Sequence, residues 1–132
     1  MVTLPDGVVL WPGGGGRPYA LGSMHADFKI DAESGGRYSV SEWLLEPGCP
    51  GVGAHAHDAN DDAFYVLEGR LEFLIDAEWL PVEKGAFIRI PAGVTHDYRN
   101  VSDRPARLLN FYIPGDFEKD MPAIVRWFAE NG

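Results

Sequence analysis

Apolar and polar positions alternate over short stretches along most of the chain, and Gly or Pro interrupts them every few residues. Alternation with a period of two buries one face of a β-strand, so the pattern predicts strands. Candidate strands lie at 23–30, 38–45, 63–67, 70–75, 79–82, 86–90, 95–100 and 106–113. Turn signals separate them: Glu46-Pro47-Gly48, Glu68-Gly69, Asp76-Ala77-Glu78 and Pro91-Ala92-Gly93. Helical periodicity occurs only towards the C-terminus, where Ala123, Ile124 or Val125, Trp127 and Phe128 recur at helical spacing. Pro122 suits a first helical turn and Asp120 a cap, and Trp127 and Phe128 are expected to form the buried stripe. Many short strands joined by turns predict an all-β body, with the C-terminal helix, expected over about 116–131, laid over one edge or mouth. The stretch 11–19 contains Gly13 to Gly16 but lacks the Gly-Lys-Ser/Thr ending of a phosphate loop, so it is expected to be a flexible connection.

The chain has 132 residues, with no internal repeat or linker, which predicts one domain over 1–132. Its single cysteine, Cys49, excludes a disulfide framework within the chain and a cysteine-based zinc cluster. A net charge of −9 disfavours nucleic acid and anionic membrane surfaces as partners. No apolar run approaches the ~18 residues that span a bilayer. The start Met1-Val2-Thr3-Leu4-Pro5-Asp6-Gly7 has no basic region, so a signal peptide is not expected and the predicted compartment is the cytoplasm.

The candidate chemistry lies in three of the four histidines. His55 and His57 are two apart, so on a strand they point to the same face, about 7 Å apart along it, and can lean towards one metal ion. His96 lies on a separate predicted strand, and His25 stands alone and is expected at the surface. Four residues separate His57 from Asp62, and six more precede Gly69. The second stretch reads Gly85, five residues, Pro91-Ala92-Gly93, two residues, His96, three residues, Asn100.

These two stretches, 48–69 and 85–100, resemble the paired motifs of the cupin superfamily. The second is matched at every anchor: Gly85, Pro91, Gly93, His96 and Asn100. The first is matched at His55, His57 and Gly69; its nearest leading glycine is Gly48, and Asp62 stands where the family has Glu. The flanks 35–48, 64–69 and 114–118 are similar to those of single-domain quercetinase-like cupins, and the likeness covers roughly residues 17 to 120. The resemblance implies a single cupin barrel, a double-stranded β-helix or jelly roll, with a short C-terminal helix. It also implies one divalent transition metal (Fe, Mn, Ni, Co, Cu or Zn) held by His55, His57, Asp62 and His96. Three imidazoles and a carboxylate suit such ions, whereas calcium prefers oxygen.

Asp62 is one methylene shorter than Glu and reaches about 1.5 Å less. Either the backbone shifts and Asp62 binds directly, or a water bridges it to the ion, or Asp61 takes its place by a one-residue slip. The count to Gly69 favours Asp62, and a slip would also turn Phe64 and Val66 away from the interior. Tyr98 shares the parity of His96 and is expected to face inward.

Likeness to quercetinases implies a dioxygenase acting on a small aromatic or enolic substrate, flavonol-like or diketone-like, with Asp62 and Tyr98 as catalytic residues. A non-redox isomerase, cyclase or lyase using the ion as a Lewis acid is the alternative, as is a non-enzymatic small-molecule binder. Cupin domains of this size also imply a homodimer, with the segment up to Tyr19 crossing to the neighbour.

Overall fold

The computed structural model describes residues 2–131. A small N-terminal hairpin, β1 (Val2–Thr3) and β2 (Val9–Leu10), precedes β3 (Arg17–Leu21), β4 (Met24–Ile30) and β5 (Ser39–Leu45). A long loop then leads to β6 (Asp61–Glu68), β7 (Arg70–Ile75), β8 (Glu78–Glu83), β9 (Phe87–Ile90), β10 (His96–Arg99) and β11 (Ala106–Ile113). The chain ends in α1 (Met121–Asn131), entered through a 3-10 turn at Glu118–Asp120. The helix thus starts later than the pattern predicts, with Pro122 in its first turn.

The strands form an antiparallel six-stranded sheet in the order β3-β4-β5-β11-β6-β9 and a three-stranded sheet in the order β10-β7-β8. β6 and β7 are consecutive but lie in different sheets, as do β9 and β10. The body is therefore a jelly-roll sandwich, and the closed barrel expected from the sequence is not formed: among the described residues no continuous ladder joins the two sheets. The period-two reading holds where it matters. Ser39, Ser41, Trp43 and Leu45 are buried on β5, as are Phe64 and Val66 on β6, while Tyr65 between them is exposed. Phe64, Phe73 and Tyr98 meet at ring-centroid distances of 5.1–5.8 Å and weld the two sheets together.

The stretch expected to be a flexible connection ends instead in a strand. Arg17–Leu21 pairs antiparallel with β4. The Trp11 indole donates to the Lys29 carbonyl at 2.7 Å, and the Lys29 ammonium donates to the Gly15 carbonyl. The sequence hid this strand because Pro18 and the glycines before it depress strand propensity; its place at the sheet edge tolerates the proline.

Arg17 fastens the helix to this edge. Its guanidinium pairs with Glu118 at 2.8 Å and Glu33 at 2.6 Å, and the Tyr19 hydroxyl donates to Glu118 at 2.6 Å. The bond to Arg17 lowers the Glu33 carboxyl from 4.5 to about 2, against the opposing effect of burial. A carboxyl lowered on folding stabilises the fold above its unfolded value, and that contribution is lost as pH falls. Urea unfolding should therefore show stability declining from pH 4.5 towards about 2, and Glu33→Gln should flatten that part of the profile.

Candidate metal centre

The loop between β5 and β6 carries His55 and His57 off any regular strand. Its order comes from the neighbouring sheet. Gly51 and Gly53 adopt positive φ, and the Asp97 carboxylate on β10 accepts bonds from the Val52 and Gly53 amides, both at 3.2 Å. His55 then makes a single antiparallel bridge to His96, with N···O distances of 3.0 and 2.8 Å, and the Gly93 amide donates to the His57 carbonyl at 2.8 Å. The two loop histidines converge because the loop is pinned, not because a strand alternates as expected.

Asp62 comes from the opposite sheet. β6 begins at Asp61, earlier than the pattern predicts, so Asp62 sits on a strand between Tyr112 of β11 and Ile90 of β9. Its Oδ2 lies 3.2 Å from His57 Nε2 and 3.1 Å from His96 Nε2. Asp61 turns to the other face, where it pairs with Arg89 at 2.9 Å. Of the alternatives left open by the sequence, a slip to Asp61 is excluded, and the shorter side chain of Asp62 reaches the imidazoles.

Four ligand atoms, one each from His55, His57, Asp62 and His96, lie within 4.8 Å of one another. Ligands bound at about 2.1 Å sit roughly 3 Å apart when adjacent and roughly 4.2 Å apart when opposite. The 3.1 and 3.2 Å separations from Asp62 are those of adjacent ligands. The outer nitrogens strengthen this reading. His55 Nδ1 donates to the Gly53 carbonyl at 2.7 Å, and His96 Nδ1 to the Val94 carbonyl at 2.9 Å. A carbonyl only accepts, so both Nδ1 atoms carry hydrogen and both neutral rings offer a lone pair at Nε2.

At His96 that lone pair faces a carboxylate oxygen. Such a pair requires positive charge between the two atoms, from a proton on the ring or from a metal ion. Burial lowers the basicity of His96, but the bond to Asp62 outweighs it and raises the group above its ordinary value. Burial likewise raises the Asp62 carboxyl, and bonds from His57, His96 and Asn110 more than reverse it, leaving it below its ordinary value. His55 has no such partner, and burial pushes it down, towards the neutral form that binds metal. The donor set, its spacing and its fixed tautomers fit a divalent transition metal.

His96 lies behind Asp62, its Nε2 3.1 Å from Oδ2, and His55, His57 and Asp62 line a cavity of about 370 Å³. Trp43, Phe64, Tyr98, Tyr112 and Phe117 form its walls, and Ile124, Trp127 and Phe128 of α1 stand at its mouth. Trp127 is therefore not in the buried stripe predicted for it. It is 55% exposed, and Met121, fully buried, anchors the helix instead. Tyr98 faces inward as expected, and burial pushes its hydroxyl well above the ordinary value, so it is a neutral donor. His25 lies at the surface beside Asp27.

Three contributors escaped the sequence reading. Asn110 donates to Asp62 Oδ1 at 2.6 Å, the Tyr112 hydroxyl lies 3.4 Å from His57 Nδ1, and Asp97 holds the histidine loop. The parity of Asn110 and Tyr112 with Leu108 was the available signal, because a polar side chain on the inward face of a strand needs a partner.

A jelly roll in which two sheets and the loop between β5 and β6 bring three imidazoles and a carboxylate together beside an apolar cavity defines a candidate mononuclear metalloprotein. Residues 41–112 match the family described as Cupin domain, and the chain belongs to that family. It is similar to the polyketide synthase CurC of Streptomyces cyaneus, 32% identical over 61% of this chain and 56% of that protein. It is also similar to quercetin 2,3-dioxygenase of Bacillus subtilis, 27% identical over 89% of this chain and 35% of that protein. The chain thus spans about half the length of the first relative and about a third of the second. Among solved structures, ectoine synthase from P. lautus superposes with a TM-score of 0.70 at 16% identity, covering 81% of this chain and 75% of that one. Among the described residues no helix is long and apolar enough to cross a membrane.

Proposed function

We propose that the protein is a metal-dependent dioxygenase for a small, flat substrate bearing an enol or phenol oxygen, as in flavonols and β-diketones. One observation carries this reading: His55, His57 and Asp62 of the ligand set line a cavity walled by aromatic rings, and among the described residues no lysine or arginine lines that cavity. A phosphorylated or multiply carboxylated substrate would find no cation there apart from the ion itself. A flat neutral or singly ionised ligand would find stacking surface and one polar end. The likeness to quercetin 2,3-dioxygenase supports the same class.

His55, His57, Asp62 and His96 would hold the ion, which supplies Lewis acidity towards a ligand hydroxyl and, if redox-active, a site for dioxygen. The chain's own residues do the rest. Asp62 keeps Oδ1 on Asn110 and presents Oδ2 to the ion or to the proton the ligand gives up. Tyr98 offers a neutral hydroxyl from the cavity wall and so suits a ligand oxygen that gains negative charge. The aromatic walls offer stacking surface to the ligand, and Trp127 adds to it from α1.

The test is oxygen uptake by protein loaded in turn with Fe, Mn, Co, Ni or Cu, given a flavonol or a β-diketone. Consumption of one dioxygen per substrate converted is expected. Conversion without uptake would replace this reading with the non-redox one, and binding without turnover would reduce the protein to a binder. Trp127→Ala should raise KM by about fivefold, the cost of losing roughly 1 kcal/mol of aromatic contact, with kcat nearly unchanged.

A further inference from the structure

We propose that Asn110 is a positioning residue that aims Asp62 at the metal. The proposal rests on the metal-centre reading and explains how a short carboxylate serves there. Asn110 lies on β11, beside Phe64 of β6 and Ser41 of β5 in the sheet register. Leu108, two residues earlier, is fully buried, so Asn110 shares the inward face of an apolar strand. An amide there is costly unless it is bonded. Its nitrogen donates twice, to Asp62 Oδ1 at 2.6 Å and to the Ala63 carbonyl at 3.1 Å. Both neighbours are pure acceptors, so the amide has only one satisfactory orientation: nitrogen towards β6, oxygen away from it.

One hydrogen therefore grips the backbone of β6 and the other grips the carboxylate that β6 carries. This matters because the outer torsion of an aspartate is soft and has no sharp minimum. Left alone, the carboxylate plane would swing, and a side chain one methylene shorter than Glu has little reach to spare. With Oδ1 tied by a charge-assisted bond, Oδ2 is left facing His57 Nε2 and His96 Nε2 at 3.2 and 3.1 Å. Among the described residues Asn110 makes no hydrogen bond to an imidazole, so its effect on the ion runs through Asp62.

That dependence gives a test with Co(II) alone as the probe. Affinity is measured by chelator competition, and up to millimolar metal by paramagnetic NMR shifts. The proteins are wild type, Asn110→Leu, Asp62→Ala and the double variant, each with its metal-free Tm recorded. Asn110→Leu is expected to weaken Co(II) binding by about 10–100-fold, the usual effect of losing a group that orients a ligand. In the Asp62→Ala background the same substitution should change affinity by less than about twofold, because nothing remains to be aimed. Equal losses in both backgrounds would show that Asn110 only supports the sheet and would overturn the proposal. Unchanged affinity in Asn110→Leu would overturn it as well, leaving the metal centre intact. A wild-type protein that binds no Co(II) would instead remove the metal-centre reading itself, and this proposal with it.

Discussion

Replacing His96 by alanine should lower the affinity for a divalent transition metal by at least about 100-fold. His96 is 1% exposed, and its ring is fixed on both sides, by the Val94 carbonyl at Nδ1 and by Asp62 at Nε2. It is also the one ligand set in the three-stranded sheet. Asp62 belongs to the other sheet and the remaining two to the loop, so without His96 no ligand ties the ion to β10. Saturating metal stabilises a folded protein by about 4 kcal/mol at a thousand times its dissociation constant, which is about 15 °C in Tm for a chain of this size. Metal at that concentration should therefore raise the wild-type Tm by roughly that amount and the Tm of His96→Ala by no more than about 5 °C. A variant with wild-type affinity would show that the ion, if any, binds elsewhere.

The second large effect is expected at Asp97, which takes no part in metal binding. Its carboxylate is 5% exposed and accepts from the backbone amides of Val52, Gly53 and Tyr98 at 3.2, 3.2 and 2.8 Å. Bonds to a charged acceptor contribute about 1.5–3 kcal/mol each, and buried donors left unpaired add to the loss. Two of these three bonds are long, so Asp97→Ala should cost roughly 3 kcal/mol, or about 10 °C in Tm. The loop packs tightly at this point: a Cβ on Gly51 would stand 2.1 Å from the Tyr98 carbonyl, at a φ of +94°. Metal affinity should fall along with stability, because the Gly53 carbonyl that accepts from His55 moves with the loop. Urea unfolding and a Co(II) titration of the same variant check both parts. A variant as stable as wild type would mean that the loop is held by other contacts.

Much of this arrangement was legible from the sequence because period-two burial and turn residues are local signals. The strands 70–75 and 106–113 agree with the structure at both ends. The anchors of the second motif also have physical meanings. Gly93 takes positive φ in the turn before β10. Asn100 donates to the Leu45 and Arg104 carbonyls and accepts from Ser102, closing the loop that follows β10. Of those anchors only His96 carries chemistry. What the sequence concealed was non-local. The partners of Asp62 come from β10, β11 and a loop, so the choice between Asp61 and Asp62 could be settled only by the sheet register and the Arg89 pair. Trp127 was misread because helical spacing identifies a face without saying whether that face meets a core or the rim of a cavity. The edge strand Arg17–Leu21 was missed because its stability comes from pairing with β4 rather than from its own residues.

The most direct test of the metal centre is X-ray absorption at the metal edge of wild-type protein loaded with one equivalent of Co(II) or Fe(II). Three imidazole nitrogens and one carboxylate oxygen at about 2.0–2.2 Å, with any further ligands from solvent, are expected. A first shell of oxygen alone, without the outer scattering of imidazole rings, would contradict the account.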